Sequence, residues 1–116
     1  MVVRDLKKGN KREYSLPKSE RLRGKREIDT LFSTGKRFRS GKILFIYLPA
    51  TEQRAGFFAS RKVGGAAKRN RVKRILREAY RMNKTIFKGL RIIFLAQENI
   101  EFKEAVEAIK SFPEGR

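Results

Sequence analysis

The sequence of 116 residues contains no cysteine and no histidine. These two residue types supply thiolate nucleophiles, general bases that work near neutral pH and most zinc ligands. Their absence excludes a disulfide framework, a cysteine- or histidine-dependent active site and an ordinary zinc site. A chain without cysteine is also consistent with the cytoplasm, which is the location we expect.

Acidic residues are scarce as well, with 12 Asp and Glu against 30 Lys and Arg, and the net charge is +18. Four of these acids lie in one late segment typical of the solvated side of a helix, so the chain is poorly supplied for two-metal chemistry: Glu98, Glu101, Glu104 and Glu107. So large a positive surplus repels itself within a compact fold and predicts a polyanionic partner. Nucleic acid is the first candidate, because Lys and Arg release counterions from phosphates. An anionic membrane surface is the other.

Long apolar runs are also missing. None approaches the ~20 residues that a membrane-spanning helix needs, and no apolar segment of a signal peptide follows the charged N-terminus. We therefore expect a soluble protein. Hydrophobic residues make up 40% of the chain and include nine Phe, which is enough for the modest core of one domain.

The pattern along the chain predicts a basic arm followed by one folded domain. Residues 1–18 are basic and contain Pro17, which indicates a flexible arm before a single folded domain over 19–116. Within 24–34, Ile28, Leu31 and Phe32 have the spacing of one helical face, and Gly35 then ends the helix.

The remaining segments alternate between strand and helix patterns. Strands are predicted over 42–48, 56–63 and 90–96, with a short flanking strand at 36–40, and helices over 66–82 and from an N-cap at Asn99. The predicted order is α-β-β-β-α-β-α, a small α+β sandwich.

The helix over 66–82 has two opposed faces. At about 100° per residue, one arc is apolar and contains Val72, Ile75, Leu76 and Ala79. The opposite arc is cationic and contains Asn70, Lys73, Arg74, Arg77 and Arg81. Such an arc can be the solvated side of an ordinary helix. Here Glu78 is the only acid of the helix, the cations continue upstream, and Arg predominates, so we prefer bidentate phosphate contact.

This segment resembles the bacterial ribonuclease P protein family, whose signature runs Lys/Arg-Lys-x-Gly-x-Ala-x-x-Arg-Asn-Arg-x-Lys-Arg-x-x-Arg-Glu. The match runs from Arg61-Lys62-Val63-Gly64 through Arg69-Asn70-Arg71 to Arg77-Glu78. Upstream, Arg21-Leu22 and Phe32-x-x-Gly35 are similar to the first helix of the family, so the resemblance covers about residues 18–112.

The resemblance implies a fold, a partner and a role. The fold would be a four-stranded sheet like that of ribosomal protein S5 domain 2, with a left-handed β-α-β crossover. The protein would be the non-catalytic subunit of ribonuclease P, inactive alone, assisting a catalytic RNA whose bound Mg²⁺ performs hydrolysis of precursor tRNA. Motif positions assign the RNA-subunit contacts to Arg69, Asn70, Arg71, Lys73, Arg74 and Arg77, with Arg61 and Lys62 beside them. The neighbouring cations Lys68 and Arg81 complete the predicted set.

The resemblance further implies a cleft between the first helix and the sheet that binds the single-stranded 5′ leader of precursor tRNA. The matching positions are Ile28, Phe32, Leu44 and Ile46. Ile28 departs from the family, where Phe is usual at this position. All four residues could instead belong to the core, and for Leu44 we favour the core.

Three other functions are weaker alternatives. A ribosomal or rRNA-binding protein would share the small size and the Arg-rich helix but not the motif over 61–78. A helix-turn-helix DNA-binding protein would need a second helix before 66, where a strand is predicted. A membrane-surface helix would need a wider apolar arc with Trp or Phe. No small-molecule substrate is indicated.

Overall fold

The computed structural model describes residues 17–113, and its elements follow the predicted order. Three helices and four strands have the bounds α1 Lys25–Thr34, β1 Lys36–Ser40, β2 Ile43–Pro49, β3 Arg54–Ala59, α2 Ala66–Arg81, β4 Leu90–Ala96 and α3 Phe102–Lys110. Short 3-10 turns occupy Lys18–Glu20, Arg61–Val63 and Lys84–Phe87. Of the predicted basic arm, residues 1–16 lie outside the described part of the chain.

The four strands form one mixed sheet in the order β1-β2-β4-β3. β2 pairs antiparallel with both β1 and β4, whereas β3 pairs parallel with β4. A parallel pair needs a crossover, and α2 supplies it as the helix of a β-α-β unit. The α+β class predicted from the sequence is confirmed.

The main core lies on the sheet face that α2 and α3 cover. Alternate residues of the central strands point into it, so that Phe45 of β2 and Phe94 of β4 meet with ring centroids 5.3 Å apart. Phe87 is fully buried beside them, with its centroid 5.2 Å from that of Phe94. Nineteen buried residues among the described 17–113 form this cluster, which makes α2 and α3 a fixed layer on the sheet.

The opposite face carries a smaller core under α1. Leu31 of α1 packs with Ile46 of β2 and Ile93 of β4, and all three are buried. Gly35 joins α1 to β1 so closely that a Cβ there would lie 2.6 Å from the carbonyl oxygen of Leu31 and 2.7 Å from Cγ2 of Ile46. Close packing therefore favours Gly at this position, in addition to its predicted role in ending the helix.

Two predicted boundaries are wrong. The strand over 56–63 ends at Ala59, because its partner β4 ends opposite it at Ala96, and Arg61–Val63 is a 3-10 turn. The last helix begins at Phe102, and its N-cap is Glu101 rather than Asn99. Glu101 forms a reciprocal capping box with Glu104, which satisfies two helix-end N–H groups at once.

Candidate nucleic-acid interface

The apolar side of α2 anchors the basic helix to the sheet. Val72, Leu76 and Ala79 are fully buried, as the helical wheel predicts, and Ile75 is half-buried. Tyr80 is fully buried too, although the wheel had not included it. Tyr80 lies four residues after Leu76 and so on the same face of the helix, from which its burial could have been predicted. The anchoring fixes the direction in which the cationic side faces.

The outward side of α2 presents an array of free cations. The cations Lys68 and Arg74 are exposed, and so are Arg61 and Lys62 in the preceding turn. The neutral amide of Asn70 is exposed among them. Lys73 is half-buried. None of these six side chains forms a hydrogen bond or an ion pair with another side chain or with the backbone among residues 17–113. We call this set the basic strip: Arg61, Lys62, Lys68, Asn70, Lys73 and Arg74.

Two arginines of the predicted RNA-binding set are instead engaged within the protein. Arg69 donates from Nη1 to the carbonyl oxygen of Gly64 at 2.7 Å, which secures the turn before α2. Arg71 donates from Nη2 to Oε1 of Glu101 at 2.9 Å and from Nη1 to the carbonyl oxygen of Ile100 at 3.3 Å. These contacts brace the strip against its neighbours. Whether the two guanidinium groups also contact RNA stays a prediction.

Arg77 lies between the basic strip and the first helix. It is half-buried, and its Cζ atom is 5.6 Å from the centroid of the Phe57 ring, a cation–π arrangement. Burial, and secondarily the positive charges of Arg21 and Arg74, lower the pKa of Arg77. Arg77 and Arg21 also line a depression of about 410 Å³ that reaches Ile28. Arg81, near the end of α2, is half-buried.

The predicted cleft residues are brought together, but they are not equivalent. Ile28, Phe32 and Leu44 are half-buried around the smaller core, so each keeps some exposed surface. Ile46 has no exposed surface, since α1 covers it. The prediction that Ile46 lines the cleft is therefore wrong, and its role is to support α1.

The sheet adds two apolar residues to this cleft that the sequence analysis missed. Leu95 of β4 lies opposite Leu44 and beside Phe58 of β3, and all three share one face of the sheet. The ring centroids of Phe58 and Phe32 are 5.8 Å apart in an edge-to-face arrangement. Phe58 therefore gives the cleft a second aromatic ring, although Ile28 lacks one. We call this set the α1 cleft: Ile28, Phe32, Leu44, Phe58 and Leu95.

Strand β1 supplies cations at the edge of the α1 cleft. Arg39 pairs with Leu44 in register, and Arg37 pairs with Ile46, so both point to the α1 face of the sheet. Arg37 also donates from Nη2 to the carbonyl oxygen of Phe32 at 2.8 Å. Both residues are exposed. Arg37 and Arg39 alternate with other residues within the predicted strand 36–40, and this spacing could have predicted that both lie on one face of the sheet.

Carboxylates are placed for pairing with cations. Glu104 binds Lys42 at 3.0 Å, and its hydrogen bond with the backbone of Glu101, followed by Lys42, lowers the pKa of Glu104.

Within residues 17–113, no three or more Asp, Glu, His or Cys side chains are grouped so that they could hold a metal ion. No helix in this range is long and apolar enough to cross a membrane.

Comparison with known proteins points to one family. The sequence profile of the family described as Ribonuclease P matches residues 16–114. The ribonuclease P protein component of Porphyromonas gingivalis is 43% identical over 77 residues, which are 61% of this chain and 56% of that protein. The protein component of Petrotoga mobilis is 38% identical over 86 residues, covering 72% of this chain and 73% of its own.

Solved structures show the same likeness. The ribonuclease P protein from Thermotoga maritima, in complex with 1-(4-fluorophenyl)-2-thiourea, superposes with a TM-score of 0.71 at 25% identity, covering 83% of this chain and 99% of that one. A ribonuclease P protein from Staphylococcus aureus superposes with a TM-score of 0.66 over 80% of this chain. At 19% identity, the second match concerns the fold alone.

Proposed function

The chain belongs to the ribonuclease P protein family, and from this premise we propose that it is the protein subunit of ribonuclease P, promoting removal of the 5′ leader from precursor tRNA. The observation that carries the proposal is the basic strip, whose cations are unpaired and face outward from a helix that the core holds rigidly. Unpaired cations at helical spacing on a rigid helix suit a folded RNA, because folding has already met the cost of ordering the backbone that carries them.

The partner of the basic strip is the RNA subunit of the enzyme. Guanidinium and ammonium groups bind phosphates, and the exposed amide of Asn70 adds a group that can donate and accept hydrogen bonds. A ribosomal RNA partner would fit these contacts equally well on charge alone. The family match favours ribonuclease P RNA instead.

The leader of precursor tRNA is the ligand of the α1 cleft. Single strands bind where aromatic rings stack on bases and cations follow the backbone. Phe32 and Phe58 supply the rings, and Arg37 and Arg39 supply cations at the edge. Mature tRNA has no leader, so this cleft lets the enzyme prefer its substrate over its product.

Hydrolysis belongs to the RNA subunit, and the protein alone is inactive. Mg²⁺ supplies the activated water and stabilises the developing charge in such reactions. The ion is held mainly by the RNA, because the carboxylates among residues 17–113 are not grouped as ligands. What this chain contributes is affinity for the two RNA partners and neutralisation of their phosphates.

Reconstitution tests the proposal. The protein, added to ribonuclease P RNA at low magnesium, is expected to raise the rate of precursor tRNA cleavage, and the nuclease-free protein alone should cleave nothing. A K62Q/R74Q variant should lose most of this stimulation, whereas K103Q/K110Q, with the same charge change on exposed sites of α3, should keep it. Stimulation that is absent, or equally lost in both variants, would contradict the proposal.

A further inference from the structure

A second groove runs along the side of α1 opposite the α1 cleft. Along β2, Leu44 belongs to the α1 cleft, Ile46 lies beneath α1, and Leu48 emerges on the far side of the helix. There a groove of about 660 Å³ opens between α1 and the end of the sheet. Leu31, Leu48 and Pro49 give it an apolar floor.

Four arginines and one carboxylate also line this groove: Arg23, Arg26, Arg54, Arg91 and Glu27. Glu27 organises the inner part, since its Oε2 contacts Nη1 of both Arg54 and Arg91, and its Oε1 accepts the backbone N–H of Arg23 at 2.9 Å. Glu52 adds a second ion pair to Arg54 at 2.9 Å from outside.

The outer arginines are left uncompensated. The side chains of Arg23 and Arg26 are exposed and form no ion pair or hydrogen bond within residues 17–113. The groove thus combines an apolar floor with a rim of two free guanidinium groups. Guanidinium groups bind phosphates in bidentate fashion and also stack on flat rings, and an apolar floor accepts nucleobases.

We propose that this groove binds a second single-stranded stretch of the leader, upstream of the nucleotides in the α1 cleft, so that the leader passes across α1. The inference rests on the proposed function. An α-helix with its side chains is about 10–12 Å wide, a distance that a few extended nucleotides span. The exposed surface of α1 between the two grooves includes Lys25, Arg26 and Asp29, so the crossing strand meets two cations and one carboxylate there.

Leader length is the variable that tests this. Affinity for precursor tRNA is measured with leaders of graded length for the reconstituted holoenzyme, carrying either wild-type protein or R23Q/R26Q. We expect the double variant to bind long-leader precursors about fivefold to tenfold more weakly, and precursors whose leader fills only the α1 cleft as well as wild type does. The slope of log affinity against log salt should fall by about two for long leaders only.

The control variant is K103Q/K110Q, whose charge change is the same on exposed sites of α3. It should leave affinity unchanged at every leader length. A loss in R23Q/R26Q that is equal for short and long leaders, or no loss at all, overturns the inference. Neither outcome touches the proposed function, which fails only if the wild-type protein does not stimulate cleavage.

A second measurement uses the wild-type protein alone in the holoenzyme. A photoreactive uridine placed upstream in the leader should crosslink to the peptide containing residues 48–51, which border the groove. The same probe placed next to the cleavage site should not. Upstream crosslinks confined to other peptides would overturn the inference without any substitution in the chain.

Discussion

Arg71 of α2 donates a hydrogen bond of 2.9 Å to Glu101, the residue that caps α3, thirty positions further along the chain. The same guanidinium group reaches the carbonyl oxygen of Ile100. Arg74 lies three residues after Arg71 on the same helix, yet it forms no ion pair or hydrogen bond among residues 17–113. One basic motif thus contains a residue that braces the fold and a residue that is free to bind.

The two arginines should therefore fail in different ways when they are replaced. Arg71→Gln should lower the free energy of unfolding by about 1 kcal/mol, the upper range for an exposed ion pair with an added backbone contact. Arg74→Gln should leave unfolding unchanged and weaken binding to the RNA subunit by on the order of 1 kcal/mol. Urea unfolding and RNA titration at one fixed salt concentration measure both. Equal effects of the two changes on stability would refute the division.

Two apolar residues of α2, Leu76 and Ile75, should differ in how much stability the protein loses when each is replaced. Leu76 is fully buried, and Leu76→Ala should cost ~2–5 kcal/mol of stability through the cavity it leaves. Ile75 is only half-buried, so Ile75→Ala should cost less, ~1 kcal/mol. Neither change should alter RNA affinity in protein that remains folded. If Ile75→Ala proved as costly as Leu76→Ala, the orientation of α2 described above would be wrong.

The parts of this fold that the sequence predicted are those encoded by local patterns. The inner face of α2 follows from apolar spacing, and β4 from a nearly continuous apolar run that Arg91 interrupts. The N-cap of α3 did not follow, because Asn99 and Glu101 can both cap a helix. Glu101 also forms a box with Glu104, whereas the side chain of Asn99 is turned toward Arg71, with its Oδ1 3.4 Å from Nη1.

The composition of the α1 cleft could not be predicted locally either. Phe57 and Phe58 are adjacent and equally aromatic, and only the pairing of β3 with β4 decides which of them faces the main core. The burial of Ile46 depends on where α1 crosses the sheet. Both facts depend on contacts between residues far apart in sequence, on which periodicity carries no information.

Tyr80 gives the fold a dependence on alkaline pH. Burial raises the pKa of Tyr80 to about 12, while its hydroxyl oxygen accepts a hydrogen bond of 2.8 Å from Nε2 of Gln53. Because the unfolded chain loses this proton near pH 10, the stabilising effect of the neutral phenol is complete below pH 10 and is lost as pH rises through about 12.

Tyr80→Phe is the matched control for this titration, since it removes the ionising group and keeps the ring. Near neutral pH the variant should be less stable by about 1 kcal/mol, the value of one hydrogen bond. Between pH 10 and 12 the gap should close and then reverse, because only the wild-type protein has this phenol to ionise. Unfolding free energies at graded pH measure the gap. A gap that stayed constant to pH 12 would show that the phenol ionises equally in both states.

The α1 cleft and the basic strip should be separable by substrate. Phe32→Asn removes a ring that lies 5.8 Å from Phe58 and should weaken holoenzyme affinity for precursor tRNA by about 1–3 kcal/mol, the range for one lost stacking contact. Affinity for mature tRNA should hardly change, because that product has no leader. Phe32→Tyr keeps the ring and should bind nearly as well as wild type, which attributes the loss in Phe32→Asn to removal of the ring.

In the same assay, Arg74→Gln should change the affinity for all substrates alike, in contrast to Phe32→Asn. It should reduce assembly with the RNA subunit, so that all substrates are affected alike when protein is limiting and none when protein is saturating. Phe32 also packs against the smaller core, so the melting temperature of Phe32→Asn must first show that the variant is folded. The decisive comparison is the affinity of folded Phe32→Asn holoenzyme, at saturating protein, for substrates with long and absent leaders. An equal loss for both substrates would contradict leader binding in the α1 cleft, because a substrate without a leader cannot lose a contact with it.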